Sequence, residues 1–134
     1  TDYAVEIFYE AVENGKYTSF ISENTAMPML YMDDAIDATI KLMTAPKEQV
    51  KIRYSYNLGG MSFTPQELAA EIKKTMPDFE IKYEPDFRQV IADSWPASID
   101  DSAAKQDWGL EYKFDISSMS IDMINNLKRK LGKV

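Results

Sequence analysis

The stretch Phe63-Thr64-Pro65-Gln66-Glu67-Leu68 constrains this chain more than any other, because it fixes a helix start from both sides. Threonine is a favoured N-cap, and proline fits the first helical position because its missing N–H would have no partner there. Glu67, three residues past the cap, is placed to reach back to the cap amide, and Phe63 and Leu68 occupy the two positions of a hydrophobic staple. The helix runs to about Thr75 and must stop before Pro77. Ahead of it, Val50, Ile52, Tyr54 and Tyr56 alternate as one face of a strand, and Gly59-Gly60 reads as a plain turn. Behind it, residues 79–84 ("FEIKYE") read as another strand. Strand, helix and strand within about 30 residues make a βαβ unit, whose strands are expected parallel and whose crossover is expected right-handed.

The rest of the chain adds helices to that unit. Ala4, Ile7, Phe8 and Ala11 form one helical stripe, with Thr1 or Asp2 as N-cap and Asn14-Gly15 as the stop. Residues 16–32 read as two short extended segments around a polar turn at 22–26. Asp33 or Asp34 is expected to cap a second helix with the stripe Ile36, Thr39, Ile40 and Met43, ending before Pro46. A short helix stops ahead of Pro96, Asp100 or Asp101 caps another that ends at Trp108-Gly109, and a terminal amphipathic helix carries Lys128, Arg129 and Lys130 in its last turn. The expectation is one α/β domain over residues 1–134, with more helix than strand and no linker.

Composition excludes several functions. With 45% hydrophobic and 28% charged residues the chain is globular, and its net charge of −7 argues against a nucleic-acid or anionic-membrane partner. It contains no run of 18 apolar residues to span a bilayer, and its N-terminus lacks the blocks of a signal peptide. It has no histidine and no cysteine, so thiolate chemistry, disulfides and the commonest general base and metal ligand are missing from it. The sequence starts at Thr1 without an initiator methionine, and an upstream part is expected. No Gly-x-Gly-x-x-Gly, phosphate loop or Gly-x-Ser-x-Gly occurs.

Several residues have two readings. Asp2 suits an ammonium or hydroxyl, and Thr1 a carboxylate, yet both are also plain helix caps. Arg88 suits a bidentate clamp on a carboxylate or phosphate, but it stands close to Asp86 and Asp93, where a surface ion pair is the commoner outcome. Trp95, before Pro96, reads equally as an aromatic pocket wall or as packing, whereas Trp108 before Gly109 reads as core. The pairs Asp33-Asp34 and Asp100-Asp101 suggest metal or glycosidase carboxylates only until their places ahead of helices are noticed, and capping accounts for both.

In order and motif, the segments "SFISENTAMPMLYMDDAIDATIKLM", "YSYNLGGMSFTPQELAAEI" and "ASIDDSAAKQDWGL" resemble the C-terminal, substrate-binding part of the extended short-chain dehydrogenase/reductases, a Rossmann-type fold and part of the NAD-dependent epimerase/dehydratase superfamily. The resemblance covers essentially the whole chain. It departs at Trp108-Gly109-Leu110, where the family has Leu-Gly-Trp, and at Ala104-Lys105, where it has Lys-Ala. "TDYAVEIFYEA", "SFTPQELAAEIKK" and "PDFRQVIADSWPASIDDS" narrow it to the short-chain type of L-threonine 3-dehydrogenase.

That resemblance implies a set of expectations. Thr1 and Asp2 border the substrate pocket, with Asp2 holding the ammonium of L-threonine and Thr1 hydrogen-bonding the substrate, while Trp95 helps close the pocket. Arg88 lies where nucleotide-sugar relatives bind a diphosphate, and is the fourth candidate. The NAD-binding glycines and the catalytic Tyr-x-x-x-Lys pair are expected upstream, so this chain by itself is expected to bind no NAD and turn over no threonine. The full-length enzyme is expected to be a homodimer, cytoplasmic in a bacterium and mitochondrial in a eukaryote. Two alternatives stay open: the equivalent part of a nucleotide-sugar epimerase or reductase, and a non-catalytic binding module.

Overall fold

In the computed structural model, which describes residues 2–133, the first helix is set by its two ends. α1 (Tyr3–Asn14) starts where the Asp2 carboxylate accepts from the Ala4 amide at 3.0 Å, and it stops at Gly15, whose φ of 69° is the left-handed geometry that glycine adopts without steric cost. The chain then forms β1 (Lys16–Ser19), β2 (Met27–Met29), α2 (Met32–Thr44), β3 (Met61–Phe63), α3 (Pro65–Thr75), β4 (Glu80–Tyr83), α4 (Arg88–Asp93), α5 (Ser102–Trp108) and α6 (Ile116–Lys130). The capping box at α3 forms as expected: Thr64 N donates to Glu67 at 2.8 Å and Glu67 N donates to Thr64 at 3.2 Å. Asp115 and Ser118 make the same reciprocal pair at the start of α6.

The main core lies where α1, α3 and α6 meet, with Ile7, Phe8, Leu68, Ile72 and Ile124 all fully buried. Against it lie two small sheets. β1 and β4 pair in parallel, Lys16 opposite Glu80 through Ser19 opposite Tyr83, and β2 and β3 pair antiparallel, Met27 opposite Phe63. This corrects the βαβ unit in detail. The order β3, α3, β4 is present, but its two strands belong to different sheets, and the parallel neighbour of β4 is β1. The physical reason is that the buried face of α3 packs on α1 and α6, so β3 is left to fold back on β2.

Three other expectations change. Residues 50–56 form no strand, because the Tyr56 hydroxyl accepts from the amides of Lys51 and Ile52, both at 3.0 Å, and donates to Asp107 at 2.8 Å. One phenol thereby satisfies backbone groups that a sheet would otherwise pair. The α2 stripe points outward: Ile36, Ile40 and Met43 are 50%, 55% and 79% exposed, while Asp34 and Ala38 face inward. Asp33 and Asp34 do not cap α2, which begins at Met32; the buried Asp34 carboxylate instead accepts from Lys113 N at 2.8 Å and Phe114 N at 3.1 Å.

A second, smaller cluster of Ala38, Ala104, Trp108 and Leu110 joins α2 to α5. Trp108 is 4% exposed and packs edge-on to Tyr56 at 5.8 Å, so it is core as read from sequence. Asp100 accepts from Ser102 N at 2.9 Å as a cap does, but Asp101 turns its carboxylate to Lys105 at 2.7 Å, the Tyr112 hydroxyl at 2.7 Å and the Gly59 amide at 3.3 Å. Gly59-Gly60 is therefore more than a turn. A side chain at Gly60, where φ is +63°, would collide with the Met29 carbonyl, and one at Gly59 would sit 2.6 Å from the carbonyl of Ile99.

Two outcomes follow from this packing. Gly60→Ala is expected to lower unfolding free energy by about 1–3 kcal/mol in urea titrations, through strain and displacement of β2. Burial alone would raise the Asp101 carboxyl, but its bonds to Lys105 and Tyr112 outweigh burial and hold it below the ordinary 3.8. A depressed carboxylate contributes stability that is present above its unfolded pKa and lost as pH falls through its folded one. Stability is thus expected to fall below pH 3.8, and less steeply in Asp101→Asn, as read by thermal unfolding across pH.

Candidate functional site

Three segments distant in sequence converge on one cavity of about 410 Å³. The start of α1 supplies Asp2 and Tyr3, the segment from the end of β1 through β2 supplies Phe20, Ile21 and Met27–Met29, and α4 with its following turn supplies Arg88, Ile91, Ala92 and Trp95. Backbone bonds hold the last two segments together, Glu84 N to Ser19 O at 2.9 Å and Asp86 N to Phe20 O at 3.1 Å, both continuing the β1–β4 pairing. The walls are mostly apolar, and Asp2 and Arg88 are the charged residues lining them.

These two charges are not equivalent. Asp2 uses Oδ1 to cap α1, and a carboxylate carries a second oxygen of equal acceptor strength. Arg88 is already engaged: Nε lies 3.0 Å from both Asp86 oxygens, Nη2 lies 2.6 Å from Oδ2, and the guanidinium carbon stacks 3.4 Å over the Phe20 ring. The Arg88 side chain holds the Asp86 carboxyl below the usual carboxylate range. Of the sequence candidates, Asp2, Arg88 and Trp95 line this single cavity, and Thr1 lies outside the described residues. Sequence reasoning missed the apolar wall, in which Phe20 and Ile21 follow the four-residue β1 and Met27–Met29 are the three-residue β2. Tyr3, adjacent to Asp2 in the first turn of α1, was within its reach.

The chemistry available is recognition. Burial pushes the Tyr3, Tyr17, Tyr31, Tyr83 and Tyr112 hydroxyls above the usual phenol value, so none of the five is poised as a base near neutral pH. Among the described residues no group of three carboxylates could hold a metal ion, and no helix is long and apolar enough to cross a membrane. The glycines offer no dinucleotide cradle. Gly15 and Gly109 close helices, Gly59 and Gly60 abut the backbones of Ile99 and Met29, and β3 rather than a helix follows that pair. Among the described residues, then, no glycine-rich turn opens a helix as a dinucleotide cradle does.

No family model matches the sequence. The chain is 50% identical over 131 residues to an uncharacterised epimerase/dehydratase of Staphylococcus haemolyticus, covering 97% of this chain and 41% of that protein. It is 47% identical over 126 residues to the mitochondrial L-threonine 3-dehydrogenase of Bos taurus, covering 93% of this chain and 34% of that one. Among solved structures, the apo form of a GalE-like L-threonine dehydrogenase from Cupriavidus necator superposes with a TM-score of 0.90 at 54% identity, over 95% of this chain and 46% of that chain. Along nearly its whole length, then, the chain is a homologue of part of the GalE-like epimerase/dehydratase class, with that class's α/β fold. Within the class it aligns with L-threonine 3-dehydrogenases. It spans about two fifths of the length of these relatives.

The two tryptophans separate the cavity from the core in solution. Trp95 is 60% exposed and Trp108 is 4% exposed. Acrylamide is expected to quench a red-shifted emission that Trp95→Phe removes, leaving the blue-shifted Trp108 emission unquenched; loss of the blue component instead would contradict the placement.

Proposed function

We propose that this chain is the substrate-binding part of an NAD-dependent L-threonine 3-dehydrogenase, which oxidises threonine to 2-amino-3-ketobutyrate. The observation that carries the reading is the meeting of Asp2, Arg88 and Trp95 around one cavity, in a chain whose threonine-dehydrogenase relatives are 47% and 54% identical. A zwitterion entering an apolar-walled pocket needs a counter-charge for its ammonium, since an unpaired buried charge costs several kcal/mol. The Asp2 carboxylate is that counter-charge. Thr1, adjacent to Asp2 in sequence, hydrogen-bonds the substrate, and Trp95 covers it and excludes water. Proton abstraction and the nicotinamide belong to a part of the enzyme other than these residues, and NAD supplies the hydride acceptor there. On this reading residues 1–134 alone turn over no threonine. The compartment follows the host, mitochondrial in a eukaryote and cytoplasmic in a bacterium.

The nucleotide-sugar reading is weaker on one specific ground. A diphosphate needs unpaired cations, and the one arginine lining the cavity is forked onto Asp86 and stacked on Phe20. The test is direct oxidation of L-threonine with NAD by the complete protein, with a nucleotide sugar as the competing substrate; turnover of the sugar alone would reverse the choice. In the same assay, Asp2→Asn is expected to raise the Michaelis constant for threonine about ten- to hundredfold, the range for losing a hydrogen bond to a charged group, with that for NAD nearly unchanged. An unaltered threonine profile would remove Asp2 from the site.

A further inference from the structure

α4 forms one wall of the cavity, yet Ala92 is the buried residue on it, while Val90 and the cavity-lining Ile91 are exposed. Hydrophobic burial therefore does little to hold it in place. Gln89 does more. Its Oε1 accepts from Ser22 N at 2.7 Å, and its Nε2 donates to Thr25 Oγ1 at 2.9 Å and to Asp93 Oδ1 at 2.6 Å. Both amide hydrogens are used, and the orientation has one solution: turning the amide over would set its oxygen against the Asp93 carboxylate and its NH2 against the Ser22 amide.

The far side of this contact is itself anchored. Thr25 N donates to Ser22 O at 3.3 Å, the Ser22 and Thr25 hydroxyls lie 2.6 Å apart, and Gln66 N, in the first turn of α3, donates to Glu23 O at 3.1 Å. Phe20 and Ile21 immediately precede this turn and Met27–Met29 follow it, while Ile91, Ala92 and Trp95 follow Gln89, and all of them line the cavity. One side chain thus joins the two walls without lining the space between them.

We propose that Gln89 is a positioning residue that latches α4 to the Ser22–Thr25 turn, setting the gap between Trp95 and the β1–β2 wall and with it the affinity for substrate rather than the rate of the chemical step. The proposal rests on reading the cavity as the threonine pocket. In the complete protein, Gln89→Ala is expected to raise the Michaelis constant for L-threonine about tenfold with turnover and the constant for NAD within about twofold, the pattern of lost uniform binding. Thr25→Val, which leaves the bond from Ser22 N to Gln89 in place, should reproduce part of the effect, Thr25→Ser should restore wild-type behaviour, and the double variant should cost little more than Gln89→Ala alone. Amide hydrogen exchange across residues 88–95 should quicken in Gln89→Ala and Thr25→Val while α1 and α6 keep their protection. Faster exchange with an unchanged threonine constant overturns the positioning role, and wild-type exchange in both variants overturns the latch itself. A wild-type protein that leaves L-threonine unoxidised defeats the functional reading and, with it, this assignment. If Gln89→Ala fails to fold, Thr25→Val and Thr25→Ser carry the test.

Discussion

The burial of α1 against α3 and α6 is the constraint on which the remaining structure depends. Ile7 and Phe8 are wholly enclosed there, among Leu68, Ile72 and Ile124, and each such side chain is worth about 1.5–3 kcal/mol on leaving water. Fixing the axis of α1 fixes both of its ends. Gly15 turns the chain directly into β1, whose parallel partner β4 delivers the chain to α4, and Asp2 and Tyr3 at the other end become one edge of the cavity. The site is thus assembled from the ends of elements whose middles are core. Close packing transmits any tilt of α1 into the position of Asp2, which is how a scaffold of modest size can place a carboxylate.

The acidic composition has a structural use that composition alone conceals. Asp34 binds two backbone amides ahead of α6, Asp101 gathers Gly59, Lys105 and Tyr112, Asp86 holds Arg88, and Asp115 caps α6. In each case a carboxylate accepts from donors outside any sheet ladder, backbone amides of loops and of a helix start for Asp34, Asp101 and Asp115, side-chain groups for Asp86 and Asp101. Two of these carboxylates join segments far apart in sequence, Asp34 to Lys113 and Phe114 and Asp101 to Gly59, whereas the Asp86 and Asp115 bonds are local.

What the sequence disclosed, and what it hid, divides along physical lines. Helix ends were legible because caps are local: Asp2, Thr64 with Glu67, and Gly109 act within a few residues of where they stand. The outward turn of Ile36, Ile40 and Met43 was hidden, because a helical period shows that an apolar face exists and not what covers it. Residues 50–56 alternate like a strand, but one hydroxyl satisfying two nearby amides gives no periodic signal. Asp2, Arg88 and Trp95 could be singled out by type, whereas their convergence depends on β1 pairing with β4, a contact spanning over 60 residues. Gln89 carried no signal at all, since a glutamine on a short exposed helix looks the same whether its amide meets water or a distant turn.

Selectivity in such a cavity comes from which charges are already paired. Were Arg88 unpartnered, the pocket would hold one cation and one anion and would favour acids and amines alike. Because Asp86 and the Phe20 ring already hold the guanidinium, an incoming anion must displace a geometry in which every component lies within hydrogen-bond or stacking distance. Asp2 is bound to backbone by one oxygen, so its charge is directed but not neutralised. On the proposed reading the Asp2 carboxylate is the charge still open to a ligand, and its pull on an ammonium strengthens as water leaves and the local dielectric falls. On the proposed reading, an amino-acid alcohol and a nucleotide sugar are thus distinguished less by the size of the cavity than by a single arginine whose charge has been answered in advance.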